Sequence, residues 1–193
     1  MSLVIIDDVV DKKTQDEIEK SIFSKNTKWI FARTVFYDGT NPEVNETQKN
    51  SLMSFTNLMM DPQNQPESDP NIELYSTPVK NIAKTILQIR AQLQLPVLTE
   101  KDKLYGVPHI DGYRNSPYRV GVYYVNDSDG DTYIFKQTTS NTTHVNVMNG
   151  LLDVETTVTP KKGRLIIFDG SVYHAVGKPK KDVRAVLNYH FIV

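Results

Sequence analysis

From Leu98 onward the chain breaks into short runs rich in Val, Ile, Tyr, Phe and Thr, separated by Gly, Pro, Asn and Asp. That punctuation suits an antiparallel β domain and leaves little room for long helices. Within it, HVNVM-NG-LLDVETTV sets Asn149-Gly150 between two β-rich segments. The pair fits a type I′ turn, whose two central residues both take positive φ, so a hairpin is expected there. The first half carries the helical signals. A short strand near Leu3 to Ile6 precedes KKTQDEIEKSIFS, where Ile18, Ile22 and Phe23 share one helical face, and Lys28 to Tyr37 reads as a strand. Thr77 as N-cap, Pro78 at the first helical position and a stripe of Val79, Ile82, Ala83, Ile86 and Ile89 predict a further helix packed against a sheet. Residues 61–71 are rich in turn formers and read as a surface loop. Helices first and strands afterwards predict an α+β chain, a double sheet or barrel backed by N-terminal helices, with alternate strand residues facing an interior cavity.

The 193 residues fit one domain, with helical support and first strands over residues 1–97 and the β core over residues 98–193. Because the sequence has no cysteine, any metal must be held by nitrogen and oxygen ligands. Lys and Arg number 22 against 23 Asp and Glu, so net charge offers no support for a nucleic-acid or membrane partner. The opening segment is too short and too acidic for a signal peptide, and no later run reaches membrane-spanning length. A cytoplasmic protein is expected.

Of the four histidines, His109 is followed two residues later by Asp111 in YGVPHIDGYR. In extended chain, positions i and i+2 point the same way, so an imidazole and a carboxylate converge on one ion. Two imidazoles and a carboxylate on one face of an octahedron leave three positions open, as iron oxygenases require. The second imidazole comes from His144, His174 or His190; His174 is the better choice, because it follows the apolar strand RLIIF and a short turn, whereas His144 lies in the expected hairpin arm. A surface His beside an Asp remains the alternative. Arg184 sits in the closing strand among Ala185, Val186 and Leu187. An inward guanidinium there needs a partner, either a ligand carboxylate gripped by its two-pronged fork or an internal acid.

The second half resembles the double-stranded β-helix of the 2-oxoglutarate- and iron(II)-dependent oxygenases, in particular the prolyl 4-hydroxylase-like branch with its small bacterial and phage members. Four segments carry the likeness in order: YGVPHIDGYR, RVGVYYVNDSDGDTYIF, VTPKKGRLIIF and YHAVGKPKKDVRAVLNYHF. The resemblance implies His109, Asp111 and His174 as iron ligands. It sets Arg184 and Tyr124 on the distal carboxylate of 2-oxoglutarate, although Tyr124 also fits a core aromatic. Alternation then turns Val122 and Val120 inward as cavity walls, with Asn188 and His190 on the face of Arg184. Where the family often has a tryptophan this chain has His190, and GDT stands for the usual GGET at Gly130 and Asp131. Tyr105 is placed to reach co-substrate or substrate, and Tyr113 and Arg114 to lie over the site. Residues 137–158 form an insertion that extends a hairpin near the opening.

The implied cofactors are Fe(II), 2-oxoglutarate and O2, with ascorbate as a candidate reductant. The implied reaction is hydroxylation of a C–H bond that releases succinate and CO2. A prolyl group of a peptide is the leading substrate, against a free amino acid, another small molecule or a nucleobase. An inactive jelly-roll binding protein would keep the sheets without turnover. A zinc hydrolase would use the same three ligands but leave Arg184 and Tyr124 without a role.

Overall fold

Alternation along RAVLNYHFI, near the C-terminus, gives a strand with two faces: Ala185, Leu187, Tyr189 and Phe191 point to one side, and Arg184, Val186, Asn188 and His190 to the other. All but Asn188 are buried, which requires a layer on each side. A computed structural model of the protein describes residues 3–32, 54–63, 67–97, 105–111, 117–142 and 151–193. Among these, the elements in chain order are β1 (Val4–Ile6), α1 (Lys12–Ile22), β2 (Ile30–Ala32), β3 (Ser54–Met60), α2 (Ile72–Ser76), a 3-10 turn (Thr77–Val79), β4 (Thr85–Gln94), β5 (Arg119–Tyr124), β6 (Thr132–Thr138), β7 (Val154–Val158), β8 (Leu165–Asp169), β9 (Val172–Val176) and β10 (Arg184–Ile192).

The strands form a seven-stranded sheet in the order β1-β8-β5-β10-β4-β3-β2 and a three-stranded sheet in the order β7-β6-β9. Every registered pairing is antiparallel. The outer face of the large sheet, including Ile89, Ala91, Tyr123, Leu165 and the odd-numbered residues of β10, packs on Ile18 and Ile22 of α1, Tyr75 of α2, and Val79. Each fully buried aliphatic side chain there contributes roughly 1.5–3 kcal/mol. Asp11 caps α1, its carboxylate accepting the Thr14 amide at 2.9 Å. Between the sheets, Val120, Val122, Tyr124, Ile166, Phe168 and Val186 meet Ile134, Val158 and Val172 of the small sheet. This is the expected double-stranded β-helix backed by N-terminal helices. Gly163, in the PKKGR turn before β8, has φ of +81°, where a side chain is strained, and a Cβ would run into Gln15 of α1.

The helix expected from Thr77 does not form. Thr77–Val79 is a single 3-10 turn, and Ile86 and Ile89 lie in β4, which pairs with both β10 and β3. The apolar spacing from Val79 to Ile89 fits one helical face, but LQIRAQLQ alternates with period two, and β10 offers nine residue pairings that a helix would forfeit. The large sheet therefore draws β1 to β4 from the first half of the chain. In the Lys28 to Tyr37 segment the described strand is Ile30–Ala32, Lys28 and Trp29 precede it outside any strand, and residues 33–37 lie outside the described residues. Asn149, Gly150, Tyr113, Arg114 and His144 also lie outside them. β7 pairs with β6, Thr132 opposite Val158, so the segment after Asn149-Gly150 does return to the sheet. Among the described residues no helix is long and apolar enough to cross a membrane.

Candidate metal centre and acid-binding cradle

His109 lies in extended chain beside the centre of β9 and exchanges both backbone hydrogen bonds with His174, at 2.8 and 2.9 Å. The pairing fixes the two rings 4.3 Å apart, centroid to centroid. Each imidazole turns Nδ1 to a carbonyl two residues earlier, His109 to Val107 at 3.0 Å and His174 to Val172 at 3.2 Å. With the proton on Nδ1, both Nε2 lone pairs are available for a ligand. They face Asp111: His109 Nε2 is 3.7 Å from Oδ1 and His174 Nε2 is 3.6 Å from Oδ2. One donor atom from each of the three residues lies within 4.8 Å of the others. Ligands about 2.0–2.2 Å from one ion sit about 3 Å apart, so small side-chain rotations would close the set on a metal.

β10 supplies two further contacts to the carboxylate. Asn188 Nδ2 donates to Asp111 Oδ2 at 3.2 Å, and His190 Nε2 lies 3.2 Å from the same oxygen. His190 thus joins the cluster from the position where the family often has a tryptophan. Burial and the neighbouring His174 push His109 down to about 3, and burial also lowers His174. Burial alone would raise Asp111, but His174, His190 and His109 outweigh it and hold the carboxyl well below its usual range. At neutral pH the three ligand residues are therefore two neutral imidazoles and a carboxylate, the forms that bind a divalent ion.

Arg184 is 1% exposed. Its Nε donates to the Gly130 carbonyl at 2.9 Å, Nη1 to Gln94 Oε1 at 3.0 Å and Nη2 to Thr132 Oγ1 at 2.8 Å. The guanidinium carbon lies 5.6 Å from the centroid of the Tyr124 ring, and Tyr124 donates its hydroxyl to Thr132 at 2.7 Å. All of these hydrogen-bond partners are neutral, and among the described residues no carboxylate forms an ion pair with Arg184. Burial accordingly lowers its pKa. Gln94 Nε2, beside it, is buried without a hydrogen-bond partner. A buried cation with no ion-pair partner among the described residues, next to an orphan amide donor, fits an incoming carboxylate. Gly130 makes room: a Cβ there would lie 3.1 Å from Arg184 Cδ, the Gly177 carbonyl and the Pro179 nitrogen.

Thr132 and Gln94 went unnoticed in the sequence. Thr132 was legible as the threonine of GDT, two residues before the inward Ile134. Gln94 belongs to the alternating series Gln88, Arg90, Gln92, Gln94, which a helical reading conceals. Tyr105 is not brought to the cluster. Its ring packs on Tyr133 at 4.7 Å and Phe135 at 5.4 Å, and Tyr133 alternates with the inward Thr132 and Ile134, so it faces the other side of the small sheet.

No family model and no curated protein matches this sequence. Solved structures do match. A prolyl hydroxylase from Trichoplax adhaerens, in complex with a hypoxia inducible factor oxygen degradation domain peptide fragment, superposes with a TM-score of 0.60 at 12% identity, over 98% of this chain and 83% of that one. An oxidoreductase of the 2OG-Fe(II) oxygenase family from Burkholderia pseudomallei gives 0.56 at 12% identity, covering 98% and 84%. The chain has the fold of the 2-oxoglutarate/iron(II) oxygenases. HygX from Streptomyces hygroscopicus, with nickel, 2-oxoglutarate and hygromycin B bound, gives 0.58 at 12% identity over 98% and 82%. A peptide in one neighbour and hygromycin B in another show that the oxygenase fold does not select the substrate.

Proposed function

We propose that the protein is a 2-oxoglutarate-dependent iron(II) dioxygenase that hydroxylates a substrate C–H bond with O2 and releases succinate and CO2. His109, Asp111 and His174 are assigned as the iron ligands, and Arg184 with Tyr124 as the clamp on the distal carboxylate of 2-oxoglutarate. The observation that carries this reading is the pairing of two sites on one inner face: a buried cluster of two neutral imidazoles and a carboxylate, the donor set of a divalent ion, and a buried guanidinium whose hydrogen-bond partners among the described residues are all neutral, the counterpart of a carboxylate. Arg184 and Asn188, which touches Asp111, are four residues apart on β10, about 13 Å along the strand. Two side chains and a five-carbon diacid bridge such a span.

Iron(II), when bound, supplies the oxygen chemistry that no protein side chain performs. The chain's own residues do the rest. His109 and His174 keep their protons on Nδ1, tied to backbone carbonyls, and present Nε2 without a proton to lose. Asn188 and His190 engage Asp111 Oδ2, leaving Oδ1 as the freer ligand oxygen. Arg184 grips the co-substrate by its far end and so orients the near end toward the triad, while Val120, Val122, Ile166 and Phe168 exclude water. The proposed substrate is a prolyl group, following the resemblance of the ordered motifs and the Trichoplax neighbour, with ascorbate as reductant.

The test is succinate formation from 2-oxoglutarate in the presence of iron(II), ascorbate and a panel of prolyl peptides and amino acids, together with metal content. Asp111→Ala and His174→Ala should each lose turnover by at least about a thousandfold, as removal of an essential ligand does. Unchanged succinate formation in either variant would sink the assigned triad.

A further inference from the structure

β4 carries a second cation on the inner face that the oxygenase reading leaves unused. Ile89, Ala91 and Leu93 pack outward on the helices, so Arg90 and Gln92 share the inner face with the residues of β10 opposite them. Arg90 pairs directly with Asn188, and Gln92 with Val186. Asn188 is the residue whose amide touches Asp111 at 3.2 Å. Directly opposed residues have Cβ atoms about 4.5–5.5 Å apart, so Arg90 is rooted one strand away from the triad. Its side chain is partly exposed, and among the described residues it forms no hydrogen bond or ion pair. Asp111 does not serve as its partner, since both carboxylate oxygens face His109, His174, His190 and Asn188. Nor is Arg90 placed to share the co-substrate. The Arg184–Gln94 pair lies four residues up the sheet, about 13 Å away, and a diacid gripped there is directed at the triad.

The inner face is thus divided. On the β5 and β8 side it is apolar, with Val120, Val122, Ile166 and Phe168; on the β4 side it is polar, with Gln88 engaged by the buried Asp61 carboxylate and with the Arg90 guanidinium, which pairs with no carboxylate among the described residues. We propose that Arg90 binds a carboxylate of the substrate, so that the molecule oxidised is an acid, a free amino acid or a chain-terminal residue, rather than an internal residue of a peptide. This rests on the oxygenase reading for the identity of the adjacent site. It narrows the prolyl proposal to prolyl groups whose carboxylate is free, and it extends to other residues with the same group.

The experiment uses the full chain loaded with Mn(II) as a redox-silent stand-in, with 2-oxoglutarate, and measures binding isotherms. The probes are the twenty free amino acids and tripeptides ending in each, all as free acids and as carboxamides, with phenyl phosphate as a second anion. At least one free acid should bind, and its carboxamide should bind about tenfold or more weakly. Comparing free amino acid with tripeptide distinguishes the two sources of the carboxylate. Arg90→Gln should lose the same factor for the acid, Arg90→Lys should recover part of it, and both should keep the wild-type affinity for 2-oxoglutarate, which also shows that they fold. Four results overturn the proposal: no free acid binds the wild type, acid and amide bind alike, Arg90→Gln leaves the acid unaffected, or phenyl phosphate alone is bound. Loss of 2-oxoglutarate affinity in step with the acid would instead place Arg90 in the co-substrate site and also overturn it. If the loaded wild type fails to bind 2-oxoglutarate at all, the oxygenase reading fails. The comparison of acid with amide, run with metal alone, still decides the Arg90 site.

Discussion

Replacing Arg184 by Met tests the proposed co-substrate clamp. The substitution preserves much of the stem volume but removes all three donors, to the Gly130 carbonyl, Gln94 and Thr132, together with the guanidinium charge. A charge-assisted hydrogen bond contributes about 1.5–3 kcal/mol, and a two-pronged grip about twice that, so affinity for 2-oxoglutarate should fall by roughly a hundredfold to a thousandfold or more. The effect is measurable without turnover as a ligand-induced thermal shift of the Mn(II)-loaded protein. At a concentration of 100 times its Kd, a ligand stabilises the native state by about 2.7 kcal/mol. In a chain of this size that raises Tm by roughly 5–11 °C. Wild type should show this rise, whereas Arg184→Met at the same ligand concentration should show less than about 2 °C. Arg184→Lys, which keeps the charge but loses the planar fork, should fall between them. Metal binding should be unchanged in both variants, because the guanidinium touches none of the three ligands. A full thermal shift in Arg184→Met, or loss of metal with normal 2-oxoglutarate binding, would refute the assignment.

Three further outcomes follow from the same geometry. Gly130→Ala brings a Cβ to 3.1 Å from Arg184 Cδ and from two backbone atoms, so denaturant unfolding should show a loss of about 1–3 kcal/mol, with weakened 2-oxoglutarate binding as Arg184 is displaced. Asn188→Ala removes the donor to Asp111 Oδ2 and should lower metal affinity about tenfold to a hundredfold, measured by competition with a chelator, with secondary structure unchanged by circular dichroism. The metal-free protein should lose stability on acidification. His109, pushed down to about 3, stays neutral in the native state below pH 6.5 while the unfolded chain takes up a proton. Stability should therefore be fully present above about pH 6.5 and fall toward pH 3, by up to about 1.4 kcal/mol per pH unit for each such histidine. His174, lowered in the same direction, and Asp111, held low, add to the loss as pH falls. Urea midpoints at pH 7, 5 and 4 that do not decline would contradict this account.

The spacing of His109 and Asp111, the apolar run before His174, the lone Arg184 and the β character after Leu98 are properties of the sequence itself, because local alternation fixes where such side chains point. Alternation also correctly turned Tyr124, Val122, Asn188 and His190 inward. It failed between Val79 and Ile89, where the same apolar positions satisfy a helix and a strand, and only the pairing of β4 with β10 and β3 resolves the choice. That pairing decided more than an element. It brought Gln94 to Arg184 across 90 residues of chain and set Arg90 beside Asn188, while Thr132 arrived from 52 residues before Arg184. It was likewise tertiary packing that stacked Tyr105 on Tyr133 and Phe135, where the resemblance implied a reach toward co-substrate or substrate. The sequence by itself determined which side chains could ligate a metal and grip an acid. Which neutral partners surround Arg184, and which second cation shares its inner face, depended on long-range strand register, which local periodicity does not encode.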